Sequence, residues 1–176
     1  MNQDIILSID NLHTFFKVGR NNVKAVNGVF LEVKRGKTLG LVGESGCGKS
    51  VTAHSVMQLL PKTARIIDSS IRYRNREGEI IELSSLKRNS KKMRAIRGRE
   101  IGMIFQDPMA SLNPVYTVGD QMIEGLLEHE KISKKEALEK AVEIAANLGI
   151  PMAKDRMKDY PHQFSGGMKQ RVMIAI

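Results

Sequence analysis

The chain has 176 residues, of which 41% are apolar, with a single cysteine and a net charge of +9. These values allow one ordinary domain or two small lobes with a sizeable core, and the single cysteine excludes an internal disulfide. No apolar run in the sequence approaches the roughly 18 residues needed to span a bilayer. The polar N-terminus MNQDIILSID lacks the lysines and long apolar stretch of a signal peptide, so the sequence predicts a cytoplasmic protein that meets a membrane only through a partner.

The positive charge leaves four interpretations open: a solvated basic surface, nucleic acid, an anionic membrane face or a phosphorylated ligand. The densest basic cluster is LKRNSKKMRAIRGR, residues 86–99. It contains none of the aromatic side chains that stack on bases, which weakens an assignment to single-stranded nucleic acid. Charge alone therefore does not choose a partner.

Two runs near the N-terminus alternate with a period of two, which is typical of half-buried, antiparallel strands. Ile5, Leu7 and Ile9 share one face of the first run, and the second run covers residues 29–34. The stretch VGRNN, around residues 19–22, predicts the hairpin turn between them.

Two short apolar runs, KTLGLV at residues 37–42 and EIGMIF at residues 100–105, predict strands that are buried on both faces. Between these runs we expect a helix that proline stops at Pro61 and two short strands at residues 71–74 and 79–83.

After residue 105 the pattern changes to helix. Thr117 followed by Asp120 resembles a capping box, and Ser133 with Glu136 forms one. The predicted apolar faces consist of Ile123, Leu126 and Leu127 in the first helix and Leu138, Ala141, Val142, Ala145 and Leu148 in the second, which Gly149 and Pro151 end. A mixed strand-helix lobe is thus expected to surround a helical insert.

The stretch GESGCGKS, Gly43 to Ser50, matches the phosphate-loop pattern G-x-x-x-x-G-K-[ST] in full. Its glycines let backbone N–H groups turn inward around a β-phosphate at the start of a helix. The Lys49 ammonium is expected on the β and γ oxygens, and the Ser50 hydroxyl on Mg²⁺. Cys47 is either a reactive thiol or a small filler, and the filler is favoured because its backbone N–H alone serves the loop.

Two further stretches accompany the phosphate loop. With GESGCGKSVT, the segments RGREIGMIFQDPMASLNP and YPHQFSGGM resemble the ATP-binding subunits of ABC transporters, in the importer branch that serves oligopeptides, dipeptides and nickel. The likeness covers essentially the whole chain. It implies an α/β fold: a P-loop NTPase core with an antiparallel β subdomain and an inserted helical subdomain. The implied domains are 1–106, 107–163 and 164–176, the last being the signature loop and the start of its helix.

The resemblance also implies site residues. Phe16 takes the place of an aromatic that stacks on adenine, and Gln106 that of a glutamine near Mg²⁺ and the attacking water. Ser165–Gly167 resembles the signature loop, which faces the γ-phosphate held by a second ATP-binding subunit in a head-to-tail pair. The implied nucleotide contacts are Phe16, Gly43, Glu44, Ser45, Gly46, Cys47, Gly48, Lys49, Ser50, Val51, Ser165, Gly166 and Gly167. The implied Mg²⁺ ligands are Ser50 and Gln106, and Gln106 is the implied catalytic residue.

The family's catalytic strand, with its metal-binding aspartate (Walker B), its catalytic glutamate and a later switch histidine, has no counterpart in the 176 residues. The four histidines, at positions 13, 54, 129 and 162, all precede the signature loop. We therefore expect a truncated chain, missing the C-terminal part of the core, that binds ATP with Mg²⁺ but is deficient in hydrolysis.

Two functions follow from the resemblance. The first is a subunit that couples ATP binding and hydrolysis to import of a peptide or nickel, bound peripherally to transmembrane permease subunits at the cytoplasmic face of the membrane. The second is an ABC-type ATPase of DNA repair or chromosome organisation, for which the basic cluster at 86–99 is the best support. The importer is favoured, with no nucleic acid as partner, because no large insertion separates the two phosphate-binding motifs.

Overall fold

The computed structural model describes residues 1–105 and 111–176, which form two compact units, Met1–Ile101 and Gly102–Ile176. Each unit has its own apolar core. The domain limits 1–106, 107–163 and 164–176 stay predictions. In the part of the chain that the structure describes, no helix has both the length and the apolar character needed to cross a membrane.

The N-terminal unit contains a five-stranded antiparallel sheet. Its strands are β1 (Ile5–Val18), β2 (Asn21–Lys34), β3 (Ala64–Ile67), β4 (Ser70–Arg74) and β5 (Ile80–Glu82). The order is β2-β1-β4-β5, and β3 pairs with the distal half of β1. Gly19 and Arg20 alone connect β1 to β2, with Gly19 at φ 61°. The predicted alternating strands and hairpin are confirmed.

Two helices pack with this sheet, α1 (Lys49–Val56) and α2 (Lys91–Ile96). The helix α1 ends at Val56, five residues before Pro61. Two residues after this end, Gln58 adopts a left-handed backbone conformation with φ 53°. The sequence pattern predicts neither α2, which lies inside the basic cluster, nor β3. Ser90 begins α2 by accepting a hydrogen bond from the Met93 backbone N–H at 3.2 Å, and Met93 is fully buried. A six-residue helix carrying three cations has too little periodicity to stand out from a solvated basic surface.

Two of the seven cations in the basic cluster bond to the backbone that follows α1. Arg97 donates from Nε to the Met57 carbonyl at 2.7 Å and from Nη2 to the Gln58 carbonyl at 3.0 Å. Arg88 donates to the Leu60 carbonyl at 2.6 Å. These carbonyls follow the C-terminal end of α1, where cations are favoured by the helix dipole and by unpaired acceptors. Burial lowers the pKa of Arg97, with a smaller contribution from nearby Arg88.

The two strands that the sequence predicts as buried on both faces are absent. Residues 37–42 form no strand, and Val42 is 94% exposed. In residues 100–105 only Ile101 forms a single bridge, to Arg97, and Ile104 is 64% exposed. An apolar run becomes a buried strand only when neighbouring strands supply hydrogen bonds on its edges and side chains on its faces. No described strand pairs with either run.

The second unit is helical. Its elements are α3 (Val118–His129), α4 (Lys134–Asn147), α5 (Ala153–Arg156), a 3₁₀ turn (Pro161–Gln163) and α6 (Gly166–Ala175). Thr117 begins α3 by accepting from the Asp120 N–H at 3.1 Å, and Ser133 with Glu136 forms the complete capping box of α4. Both predicted helix starts are therefore confirmed.

The buried stripe of α4 differs from the prediction by one position. It consists of Ala137, Ala141 and Ala145, whereas Leu138 is 37% exposed. Small residues let the neighbouring helices approach α4 closely, so packing selects the alanine face over the larger leucine. Gly119 shows similar crowding, because a Cβ atom there would lie 2.6 Å from the Met157 carbonyl oxygen.

Glu82 ties the ends of β4 and β5 together. Its carboxylate accepts from the Ser70 hydroxyl at 2.6 Å, from the Ile71 N–H at 2.7 Å and from the Ser84 hydroxyl. Burial alone would raise the pKa of Glu82, but these hydrogen bonds outweigh burial and hold the pKa below its usual value of 4.5.

Because the pKa of Glu82 is lower in the folded state, its stabilising effect should be present above about pH 4.5 and be lost as the pH falls further. Glu82→Gln should lower the unfolding free energy by about 1 kcal/mol near pH 7, after allowance for solvent screening, and by less near pH 3.5. Urea unfolding at both pH values measures this, with exposed Glu77→Gln as control. An equal effect of Glu82→Gln at both pH values would contradict the assignment.

Candidate nucleotide-binding site

The phosphate loop, Gly43 to Gly48, leads directly into α1 and is shaped by close contact with β2. Gly46 and Gly48 have φ values of 83° and 97°, which only glycine adopts without strain. A Cβ atom on Gly48 would lie 2.6 Å from the Ala25 carbonyl oxygen. Glycine at position 48 therefore lets the loop backbone rest on the β2 backbone at the start of the helix.

The Lys49 ammonium is held at the loop. It donates to the carbonyl oxygens of Gly43 at 2.7 Å and Glu44 at 2.6 Å, and lies 3.5 Å from Cys47 Sγ. The loop thus carries a fixed positive charge beside its backbone N–H groups, at the N-terminal end of a helix whose dipole also favours an anion. An incoming phosphate has only to replace two neutral acceptors with charged ones, which bind an ammonium more strongly.

The other side chains of the phosphate loop are exposed. Glu44 and Ser45 are exposed, and so is Cys47. A Cβ atom on Gly43 would lie 2.6 Å from Cys47 Sγ, so these two positions are in close contact. Cys47 thus lies next to Gly43 with its thiol exposed, and its role as a small filler stays a prediction.

Ser50 and Val51 occupy the first turn of α1. The Ser50 side chain is exposed, and its carbonyl accepts a hydrogen bond from His54 Nδ1 at 2.5 Å. Val51 packs against the N-terminal core, so its side chain anchors the helix and only its backbone remains for a ligand. The loop and helix start thus bring residues 43–51 together.

A buried hydroxyl pair fixes α1 on the sheet. Thr14 Oγ1 on β1 and Ser55 Oγ on α1 lie 2.8 Å apart, and both residues are fully buried. Ser55 also donates to the Val51 carbonyl at 2.7 Å. This pair could not be predicted from the sequence, because two polar residues 41 positions apart give no local signal.

Phe16 lies on the α1 side of the sheet. It is two residues beyond Thr14 on the same face of β1, within a regular ladder that pairs Phe16 with Ala64. It is half-buried, so part of its ring remains available for contact. Phe15 projects from the opposite face. The residue expected to stack on a base is therefore the one on the side of the phosphate loop helix.

The second glycine motif begins α6. Ser165 is the N-cap residue, and its hydroxyl accepts from the Met168 N–H at 3.3 Å. Buried Phe164 and Val172 anchor the two ends of this segment in the core of the second unit. A Cβ atom on Gly166 or Gly167 would meet nothing within 4 Å. Contacts with the described residues therefore do not explain why these two positions are glycine.

The helix after this motif is also tied to α4. Arg171 Nη1 donates to the carbonyls of Gly149 at 2.6 Å and Leu148 at 3.2 Å, just past the end of α4. Gln106, the remaining predicted site residue, lies outside the described residues.

A family model described as "ABC transporter" matches residues 26–176. The chain is 49% identical over 172 residues to the dipeptide transport ATP-binding protein DppD of Bacillus subtilis, covering 97% of this chain and 49% of that protein. It is 48% identical over 177 residues to a putative peptide import ATP-binding protein of Brucella abortus, covering 100% of this chain and 52% of that protein. The chain thus spans about half the length of the curated relatives it matches.

Two solved structures share the fold. The dimeric structure of MJ0796, a bacterial ABC transporter cassette, has a TM-score of 0.79, and its dimeric post-hydrolysis state bound to ADP and Pi has a TM-score of 0.77. Each is 24% identical, and each match covers 97% of this chain and 68% of the other. The antiparallel sheet and the helices therefore belong to the α/β fold of ABC ATPase cassettes. Since the family match extends over most of the sequence and includes both glycine motifs, the chain belongs to the ABC transporter family.

Proposed function

We propose that the chain is part of an ATP-binding subunit that drives import of peptides, with nickel as the alternative solute, through a membrane ABC transporter. The observation that carries this proposal is the phosphate loop, in which Lys49 is held by two loop carbonyls at 2.7 and 2.6 Å at the start of α1. The peptide-transport names of the relatives favour the solute class. Such a subunit would act at the cytoplasmic face of the membrane, as a peripheral protein.

In this proposal ATP binds with its phosphates on residues 43–51 and its base on Phe16. When bound, Mg²⁺ would neutralise phosphate charge, and the Ser50 hydroxyl is a suitable oxygen ligand in the first turn of α1. Gln106 is proposed as the second ligand and as the residue that places the attacking water. The surrounding glycine backbone offers the N–H groups that a triphosphate requires.

The signature motif is proposed to act on the nucleotide of a second ATP-binding subunit. Open space around Gly166 and Gly167 supports this role, since bare backbone at a helix start suits an anion that arrives from outside the chain. The dimeric cassettes with the same fold are consistent with such a pair.

The permease contact is proposed at the segment Ser111–Gln121. It borders a cavity of about 750 Å³ whose lining includes Asn113, Tyr116 and Leu127. Tyr116 and the adjacent Val115 are 57% and 71% exposed. Exposed apolar side chains beside a cavity of this size are typical of an interaction surface.

The DNA-repair alternative is disfavoured. Its main support was the cluster at residues 86–99, but Arg88 and Arg97 donate to backbone carbonyls that follow α1. Part of this cluster therefore serves the fold, and the relatives that the chain matches are named as peptide transport or peptide import ATP-binding proteins, which favours the importer.

Lys49→Ala should weaken Mg-ATP binding about ten- to hundredfold, because it removes a charge-assisted contact worth roughly 1.5–3 kcal/mol. Isothermal titration calorimetry measures the affinity. Lys37→Ala is the matched control, since Lys37 is an exposed lysine just before the same loop. Equal affinity in the Lys49 variant and the control would rule out the phosphate-loop assignment.

The 176-residue chain should hold ATP without steady turnover. No Asp or Glu follows Asp159 in it, so this stretch offers no general base, a contribution typically worth about 10²–10⁴ in rate. Phosphate release should stay near background in a preparation that binds ATP. Steady release that Lys49→Ala abolishes would show that a base lies within these residues.

Val115→Asp should weaken binding of the chain to detergent-solubilised permease subunits about tenfold or more, because it places a charge in the proposed apolar contact. Met152→Asp is the control, since Met152 is equally exposed, at 71%, in the same unit. Surface-immobilised permease and bio-layer interferometry would report the affinities. If the two variants bound alike, the contact would have to lie elsewhere.

A further inference from the structure

A second cavity lies in the N-terminal unit, on the face of β1 opposite α1. Its volume is about 290 Å³, and Phe15, Lys17 and Arg65 contribute to its lining. Thr14 and Phe16 project from the other face, where Thr14 contacts Ser55 of α1. The cavity is therefore separate from the phosphate loop by the thickness of the sheet.

Strand register places the lining residues together. Phe15 pairs with Arg65 across the β1–β3 ladder, and Lys17 pairs with Asn22 across β1–β2. The Lys17 N–H donates to the Thr63 carbonyl at 2.9 Å, which extends the contact between the two segments. Cross-strand partners share a face of the sheet, so residues far apart in sequence converge here.

The polar groups of this cavity are cations and neutral side chains. Lys17, Arg20 and Arg65 line it together with Asn22 and Thr63, and no Asp or Glu is among the lining residues. Within residues 1–105 and 111–176, the side chains of these three cations form no hydrogen bond and no ion pair. The cavity therefore presents unpaired donors.

The charge of the whole unit reinforces this field. Met1–Ile101 contains 19 Lys and Arg against nine Asp and Glu, a net of +10, whereas Gly102–Ile176 contains nine against ten, a net of −1. The excess positive charge is thus confined to the unit that holds the cavity. Such a field concentrates small anions near the unit.

One wall of the cavity is apolar. Phe15 and Ile67 line it, and Ile67 is 36% exposed. Lys24 lies on the same side, with its Nζ 5.6 Å from the Phe15 ring centroid. Two arginines suit the several oxygens of a phosphate, since a guanidinium donates two parallel hydrogen bonds. The volume is near the lower limit of about 300 Å³ for small-molecule pockets.

We propose that this cavity binds the phosphate group of a small phosphorylated compound, whose apolar part rests on Phe15 and Ile67. The site is distinct from the phosphate loop and is independent of the proposed transport function. The phosphate could belong to a soluble phosphomonoester or to a lipid headgroup. In both cases the cations of the cavity would bind the phosphate oxygens.

The test uses the 176-residue chain carrying Lys49→Ala, so that the phosphate loop contributes little to binding. Phenyl phosphate, inorganic phosphate and benzoate are titrated separately by calorimetry. Phenyl phosphate should bind most tightly, because only it offers both a dianion and a ring. Arg65→Gln should weaken its binding about tenfold, and Phe15→Leu should weaken phenyl phosphate more than inorganic phosphate.

Arg76→Gln is the matched control, because it removes the same charge from an exposed position outside the cavity. Circular dichroism checks that each variant is folded, and Arg20→Gln replaces Arg65→Gln if the latter is not. The proposal is overturned if phenyl phosphate does not bind, if benzoate binds equally well, or if the control variant weakens binding as much as the cavity variants.

A second arm distinguishes the source of the phosphate. Co-sedimentation is measured with phosphatidylcholine vesicles with and without phosphatidic acid. Binding that requires phosphatidic acid and is lost in Arg65→Gln identifies a lipid headgroup, whereas phenyl phosphate binding without vesicle binding identifies a soluble ester. Vesicle binding that Arg65→Gln and Arg76→Gln reduce equally would indicate diffuse attraction by the +10 unit and would overturn a cavity site.

Discussion

The close approach of the phosphate loop to β2 is the constraint on which the candidate nucleotide site depends. With a Cβ on Gly48 only 2.6 Å from the Ala25 carbonyl, any side chain would push the loop and the start of α1 off the sheet. The Thr14–Ser55 hydroxyl pair fixes the same helix about two turns later. Together these contacts decide where Lys49 and Ser50 stand relative to β1, and therefore relative to Phe16.

The buried hydroxyl pair of Thr14 and Ser55 fixes the position of α1 on the sheet. A hydroxyl in the core costs free energy unless it is hydrogen-bonded, so Thr14 and Ser55 favour the one placement of α1 in which they meet. Arg97 acts similarly at the other end, where its guanidinium donates to two carbonyls that follow the helix. The basic cluster thus contributes to the order of the site, although its sequence is that of a charged surface.

The two units differ in net charge and in the side chains that they expose. The N-terminal unit has a net charge of +10 and holds a cavity lined by Lys17, Arg20 and Arg65. Among its nine acidic residues, Glu82 accepts several hydrogen bonds that join β4 and β5. The helical unit is nearly neutral, and its ion pairs, such as Lys134 with Asp120 at 3.0 Å, lie on its surface. There the exposed feature is apolar, around Val115 and Tyr116. Each unit therefore offers a different chemistry to a partner.

The sequence by itself determined the features that depend on interactions between residues close together in the chain. The alternation in β1, the hairpin at Gly19, the caps at Thr117 and Ser133 and the phosphate loop each depend on residues a few positions apart. Only the tertiary structure decided the Thr14–Ser55 pair, the alanine face of α4 and the convergence of Phe15 with Arg65, because these depend on partners distant in sequence. The same reason explains why the strand predicted at residues 37–42 does not form, since an apolar run favours burial but does not specify the neighbouring strands that must surround it.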